Sequence, residues 1–96
     1  MYEKILVVDD IEDIRSLLQE ALQANGYSTL EAADGREALS IIETEPPDLV
    51  ILDIAMPVMS GFQVLRQLRK NSDIPVIMLS ARTDTFAYQN WYNHNA

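Results

Sequence analysis

The sequence has no cysteine, few basic residues and no long apolar run. Without cysteine, the 96-residue chain has no disulfide scaffold, no thiolate zinc site and no cysteine nucleophile. Its 7 basic and 15 acidic side chains give a net charge of −8, which argues against direct binding to DNA or to anionic membranes. Its longest apolar runs, such as residues 5–8 and 49–52, are too short for a membrane span or a signal peptide. We therefore expect a cytoplasmic domain without nucleic-acid or membrane partners.

The hydrophobic pattern predicts one α/β domain. Hydrophobic residues make up 48% of the chain, which is enough for a packed core, and the length has room for one domain. Short apolar segments alternate with segments of helical periodicity. The predicted strands are residues 4–9, 27–32, 48–53 and 75–80, and the predicted helices are residues 10–25, a segment from 34 to the prolines at 46–47, and 60–69. This alternation of strands and helices predicts a parallel sheet with right-handed crossovers.

Each predicted helix begins at a polar residue. Asp10 is the predicted N-cap of the first helix. Asp34 and Ser60 are each followed three residues later by Glu37 and Gln63, the spacing of a capping box. The sequence therefore predicts side-chain caps at all three helix starts.

Polar side chains close three of the predicted strands. The first strand is closed by Asp9 and Asp10, the third by Asp53 and the fourth by Ser80. In a parallel sheet these ends share one edge, and placing the first strand beside the third would bring three carboxylates together. Such a cluster repels itself unless a cation sits in it, and hard oxygen ligands suit Mg²⁺. Taken singly, the acidic pair is more often a helix cap, and Ser80 is more often a turn residue.

A carboxylate beside Mg²⁺ can attack phosphorus and form an aspartyl phosphate. Among the polar residues at this edge, Asp53 points most strongly to a functional role, because an uncompensated carboxylate at the end of an apolar strand is costly. The Ser80 hydroxyl can donate to a phosphoryl oxygen, and the small side chains of Ala55 and Ala81 leave phosphorus an open approach. The pattern thus favours phosphoryl chemistry at this edge.

Three motifs make the chain resemble the receiver domain of two-component response regulators. They are ILVVDD at residues 5–10, LDIAMPVMSG at 52–61 and PVIMLSA at 75–81. Together they extend the resemblance from about Lys4 to Asp84, with Ser60 in place of the family's usual acid before the glycine. The resemblance implies a flavodoxin-like, doubly wound sheet. It also implies a signalling domain and not an enzyme.

The resemblance further implies a role for each site residue. Asp53 would be the phosphoacceptor, and Asp9, Asp10, Asp53 and the backbone carbonyl of Ala55 would hold Mg²⁺. Ser80, with Ala81, would bind the phosphoryl group and act in switching. The donor would be a phosphohistidine on a sensor histidine kinase or phosphotransfer protein, or a small acyl phosphate. The output would reach a downstream protein partner.

The chain departs from the family after about Asp84. The family's fifth strand, fifth helix and the lysine after that strand have no counterpart, so we expect an incomplete receiver over residues 1–84 with strand order 2-1-3-4. Residues 85–96 form an aromatic, Asn-rich tail. Lys4 lies at the opposite edge of the predicted sheet, whereas Arg15 and Arg82 lie near the acidic edge. We expect Arg82 to serve as a substitute cation.

The missing elements also leave alternatives open. The fourth strand would become an apolar edge, which predicts a homodimer or an element-swapped oligomer. A second hypothesis for the function is a non-switching protein-interaction or oligomerisation module that keeps the acidic site as a relic. A phosphatase of the haloacid-dehalogenase type is disfavoured, because that family needs a second aspartate where this chain has Ala55.

Overall fold

The computed structural model describes residues 3–80, which form a parallel sheet flanked by helices. The elements are β1 (Lys4–Val8), α1 (Glu12–Ala24), β2 (Ser28–Ala32), α2 (Gly35–Thr44), β3 (Leu49–Asp53), α3 (Gly61–Leu68) and β4 (Val76–Leu79). Within this part of the chain the sheet has four strands in the order β2-β1-β3-β4, and all pairs are parallel. The predicted α/β class, element sequence and strand order 2-1-3-4 are confirmed.

Several predictions fall on residues outside this range. Ala81, Arg82 and the aromatic segment 85–96 lie outside the described residues. The domain boundary near residue 84, the absence of a fifth strand and helix, and the oligomer therefore stay predictions.

The two faces of the sheet explain the continuous apolar runs of β1 and β3. Leu6 and Leu52 are fully buried on the face that packs against α2 and α3. Ile5 and Val7 point to the other face of β1 and are also buried there, on the side of α1. A parallel strand that is covered on both faces loses the polar alternation of a half-exposed strand. The acidic residues at the carboxyl ends of these strands therefore lie next to the core.

Side chains cap the second and third helices. The Ser60 hydroxyl accepts a hydrogen bond from the Gln63 main-chain N–H, and the Gln63 side chain accepts one from the Ser60 N–H, so the predicted capping box is confirmed. Asp34 accepts from the Glu37 N–H at 2.8 Å, as predicted. The Glu37 carboxylate instead accepts from the N–H of Ala33, one residue before the cap.

The predicted N-cap of α1 is wrong. The capping position is Ile11, which has no side-chain cap, and Asp10 lies one residue too early to reach the first turn. The carboxylate of Asp10 instead lies with those of Asp9 and Asp53. An acidic residue before a helix satisfies the capping pattern and the cluster pattern equally well in sequence. Here the Asp10 carboxylate lies in the cluster and does not cap the helix.

The capping box of α3 gives a prediction on stability. Ser60→Ala removes the side-chain acceptor for the Gln63 N–H, and we expect the free energy of unfolding to fall by about 1 kcal/mol. Urea denaturation of the parent and variant measures this difference. Ser16→Ala, at an exposed position inside α1, is the matched control and should change the unfolding free energy by less than about 0.5 kcal/mol. Equal effects of the two substitutions would contradict the role of the cap.

Candidate functional site

Three carboxylates meet at the carboxyl edge of the two central strands. Asp9 and Asp10 follow β1, and Asp53 ends β3. Because Val8 is in register with Leu52 on the neighbouring strand, the residues that come next, Asp9 and Asp53, reach the same edge together. One carboxylate oxygen from each of the three aspartates lies within 4.8 Å of the others.

Asp9 is the most constrained of the three. It is the one charged residue that is buried among residues 3–80, with 6% exposure. Its Oδ1 accepts from the Ile11 main-chain N–H at 2.9 Å, and its own N–H donates to the Ala32 carbonyl at 3.2 Å. The first bond is an Asx turn in the connection between β1 and α1. The turn therefore fixes the Asp9 carboxylate toward Asp53.

Asp10 and Asp53 are more accessible than Asp9. Asp10 is exposed and Asp53 is half-buried, so the cluster opens to solvent on one side. Asp53 Oδ1 accepts a long hydrogen bond, 3.4 Å, from the main-chain N–H of Ala55. The exposed Ala55 side chain leaves the approach to Asp53 open. A small molecule can therefore reach the Asp53 carboxylate from outside.

The loop after β3 folds tightly against the strand end. The Gly61 N–H donates to the Ile54 carbonyl at 2.8 Å, which places the first turn of α3 directly beside Asp53. A Cβ atom at Gly61 would collide with the main-chain carbonyl of Asp53. Val58, in the loop between Asp53 and Gly61, has a φ of 70° and a fully exposed side chain. Gly61 therefore supports the site sterically, a role that its place in the motif did not reveal.

The electrostatics of the site are those of uncompensated negative charge. Burial raises the pKa of Asp53 from 3.8 to about 6, and repulsion from Asp9 and Asp10 adds to the shift. The Ala55 N–H acts in the opposite direction but does not offset it. Three close carboxylates, one with a raised pKa, supply the oxygen ligands that a hard divalent cation prefers and an excess of negative charge that such a cation neutralises. The residues present therefore fit Mg²⁺.

The remaining predicted residues occupy different places. Ser80 follows β4 directly and is half-buried, and because Leu79 is in register with Asp53 it lies at the acidic edge. Lys4 lies at the opposite edge, as predicted, where it pairs with Glu45 at 3.0 Å. Arg15 lies at the acidic edge, and its Nη1 donates to the Asp9 carbonyl at 2.9 Å.

The raised pKa predicts how stability depends on pH without metal. The pKa of Asp53 is higher in the folded than in the unfolded chain. Its contribution to the free energy of unfolding is therefore fully present below about pH 4 and is lost as pH rises through 6. The loss is on the order of 1 kcal/mol once solvent screening of a half-exposed carboxylate is considered. Thermal unfolding in EDTA should therefore show Asp53→Asn gaining stability over the parent between pH 4 and 7. A constant difference across this range would contradict the assignment.

Comparison with known proteins identifies the family. The model of the response regulator receiver domain matches residues 5–96. The chain belongs to the response regulator receiver family. Receiver domains are signalling domains, and the order β2-β1-β3-β4 is the flavodoxin-like order that the resemblance implied.

Solved receiver structures resemble the chain closely. The chemotaxis protein CheY4 of Vibrio cholerae superposes with a TM-score of 0.88 at 36% identity, over 100% of this chain and 82% of that one. The response regulator TrrA of Thermotoga maritima, solved in complex with Mg²⁺ and BeF, gives a TM-score of 0.80 at 45% identity, over 86% of this chain and 72% of that one.

A curated relative extends well beyond this receiver. The probable transcriptional regulator ycf27 of Porphyridium aerugineum is 52% identical over 82 residues, which are 85% of this chain and 34% of that protein. The chain thus spans about a third of the length of the curated relatives that it matches. In residues 3–80, no helix is long and apolar enough to cross a membrane.

Proposed function

We propose that this receiver accepts a phosphoryl group on Asp53 from a phosphohistidine of a sensor kinase or phosphotransfer protein, or from a small acyl phosphate. The observation that carries the proposal is the meeting of three carboxylates within 4.8 Å at the open edge of the sheet. Asp9, Asp10 and Asp53, with the Ala55 carbonyl, would hold Mg²⁺. When bound, this ion neutralises charge on the transferring group and on the aspartates.

Asp53 is the proposed nucleophile because of its position and exposure. It ends β3 and is half-buried, whereas Asp9 is buried and held by the Ile11 N–H. An Asp53 carboxylate oxygen bonds to phosphorus as the bond from phosphorus to the donor nitrogen or oxygen breaks. The electron pair of the broken bond leaves with the donor, and an acyl phosphate remains on Asp53.

Ser80 and the two residues that follow it in the sequence are proposed to bind the phosphoryl group. Ser80 follows Leu79, which pairs with Asp53, so it lies at the same edge of the sheet as Asp53. Its hydroxyl would donate to a phosphoryl oxygen together with Ala81, the next residue in the sequence, and Arg82 would supply the cation. The proposed output is a changed contact with a downstream protein, in the cytoplasm.

Phosphoryl transfer to the 96-residue chain tests the proposal. The chain is incubated with acetyl phosphate and Mg²⁺, and its intact mass is followed with and without excess EDTA. We expect the mass to increase by one phosphoryl group only when Mg²⁺ is present, with the modified peptide containing Asp53. An unchanged mass with acetyl phosphate and with phosphorylated kinase, or modification of a different residue, would overturn the proposal.

A further inference from the structure

Arg15 connects the first helix to the main chain of the acidic site. It lies one turn into α1, and its side chain is only 13% exposed. Its Nη1 donates to the Asp9 carbonyl oxygen at 2.9 Å, and its Nε donates to Glu31 Oε1, also at 2.9 Å. The guanidinium group therefore spans two acceptors, one on the β1–α1 turn and one on β2.

The carbonyl that Arg15 binds belongs to the peptide between the two acidic residues. The peptide bond is planar, so a hydrogen bond to the Asp9 carbonyl also orients the N–H of Asp10 and the direction in which Asp10 leaves the turn. Asp9 is already held at its N–H by Ala32 and at its carboxylate by Ile11. Arg15 holds the remaining main-chain polar group of Asp9.

The arrangement goes beyond an ordinary ion pair between a helix and a strand. Glu31 is 54% exposed, and an exposed ion pair contributes little by itself. The bond to the Asp9 carbonyl is part-buried, where a hydrogen bond from a charged donor is stronger than one at the surface. Geometry and burial both place the main effect of Arg15 on the Asp9–Asp10 turn.

We propose that Arg15 is a positioning residue that holds the Asp9–Asp10 peptide so that both carboxylates face one divalent cation. The inference rests on the proposed function, because it needs Mg²⁺ to bind at these aspartates. Residues that orient metal ligands by hydrogen bonds commonly change metal affinity ten- to a hundredfold when they are replaced. Arg15 would act in this way through the main chain.

The Mg²⁺ dependence of thermal unfolding separates positioning from plain stabilisation. The midpoint in EDTA reports the stability of the fold, and the Mg²⁺ concentration that raises the midpoint reports affinity. Arg15→Lys keeps the charge, but one ammonium group cannot occupy the positions of both Nε and Nη1. Glu31→Gln is the matched control, since it alters the ion pair and leaves the bond to Asp9.

For Arg15→Lys, we expect the Mg²⁺ concentration needed for half of the shift to rise about tenfold or more. For Glu31→Gln, it should stay within about twofold of the parent, because an exposed ion pair contributes little. If Arg15→Lys does not fold, Arg15→Gln replaces it with the same expectation. A lower midpoint in EDTA with unchanged Mg²⁺ dependence would overturn the inference while the proposed function stands. A parent chain that shows no Mg²⁺ shift would overturn both.

Discussion

An Asp53→Asn variant will lose almost all uptake of phosphoryl groups from acetyl phosphate in the presence of Mg²⁺. The substitution keeps the size and shape of the side chain, so we expect β3 and the pairing of residue 53 with Leu79 on β4 to be retained. An amide oxygen carries no full charge and is a poor nucleophile, so the initial rate should fall by at least about a hundredfold. Intact mass spectrometry over a time course measures this loss.

The matched control for this variant is Asp73→Asn. Asp73 is exposed in the segment before β4 and is not part of the carboxylate cluster. The Asp73→Asn variant should therefore be phosphorylated on Asp53 at the rate of the parent. Uptake by Asp53→Asn at more than a small fraction of the parent rate would show that another residue accepts the phosphoryl group.

A Gly61→Ala variant will lose about 3 kcal/mol of unfolding free energy, the upper part of the range for overpacked positions. The added Cβ would meet the main-chain carbonyl of Asp53 and would lie 2.9 Å from Cα of Ile54. These atoms belong to the backbone at the end of β3, so they cannot move aside as a flexible side chain could. We expect the strand end to shift and phosphorylation at Asp53 to slow as well.

Gly26→Ala is the control for Gly61→Ala. Gly26 has a φ of 91° after α1, and nothing lies within 4 Å of a Cβ added there. Its substitution should therefore cost only about 1 kcal/mol, from the unfavourable backbone conformation. Urea denaturation of both variants gives the comparison. A loss at Gly61 no larger than that at Gly26 would contradict the steric account.

The central strands could be predicted because β1 and β3 are buried on both faces, whereas the strand order followed from the resemblance to receiver domains. The unbroken apolar runs of β1 and β3 predicted the strands, and Asp34 and Ser60 predicted the starts of α2 and α3. The assignment of Asp10 as the N-cap of α1 failed because an aspartate at this place suits both a helix cap and an acidic cluster. Local pattern does not separate the two when the deciding neighbour, Asp53, is distant in the chain.

Contacts between distant parts of the chain account for what the sequence could not show. Helical periodicity places Arg15 near the acidic edge, but its hydrogen bond to the Asp9 carbonyl depends on the path of the intervening turn. The close approach of Gly61 to Asp53 likewise depends on how the loop after β3 closes. Neither contact leaves a periodic signal.

The pairing of β1 with β3 makes the site a property of the assembled sheet. Between these two strands the chain forms α1, β2 and α2, so Asp9 and Asp53 meet only after that whole length has returned to β1. No fragment from one side of this connection contains the three carboxylates together. Phosphoryl uptake at Asp53 would therefore also report native pairing of the central strands. Chains in which β1 and β3 are not paired would not be phosphorylated and would transmit no signal.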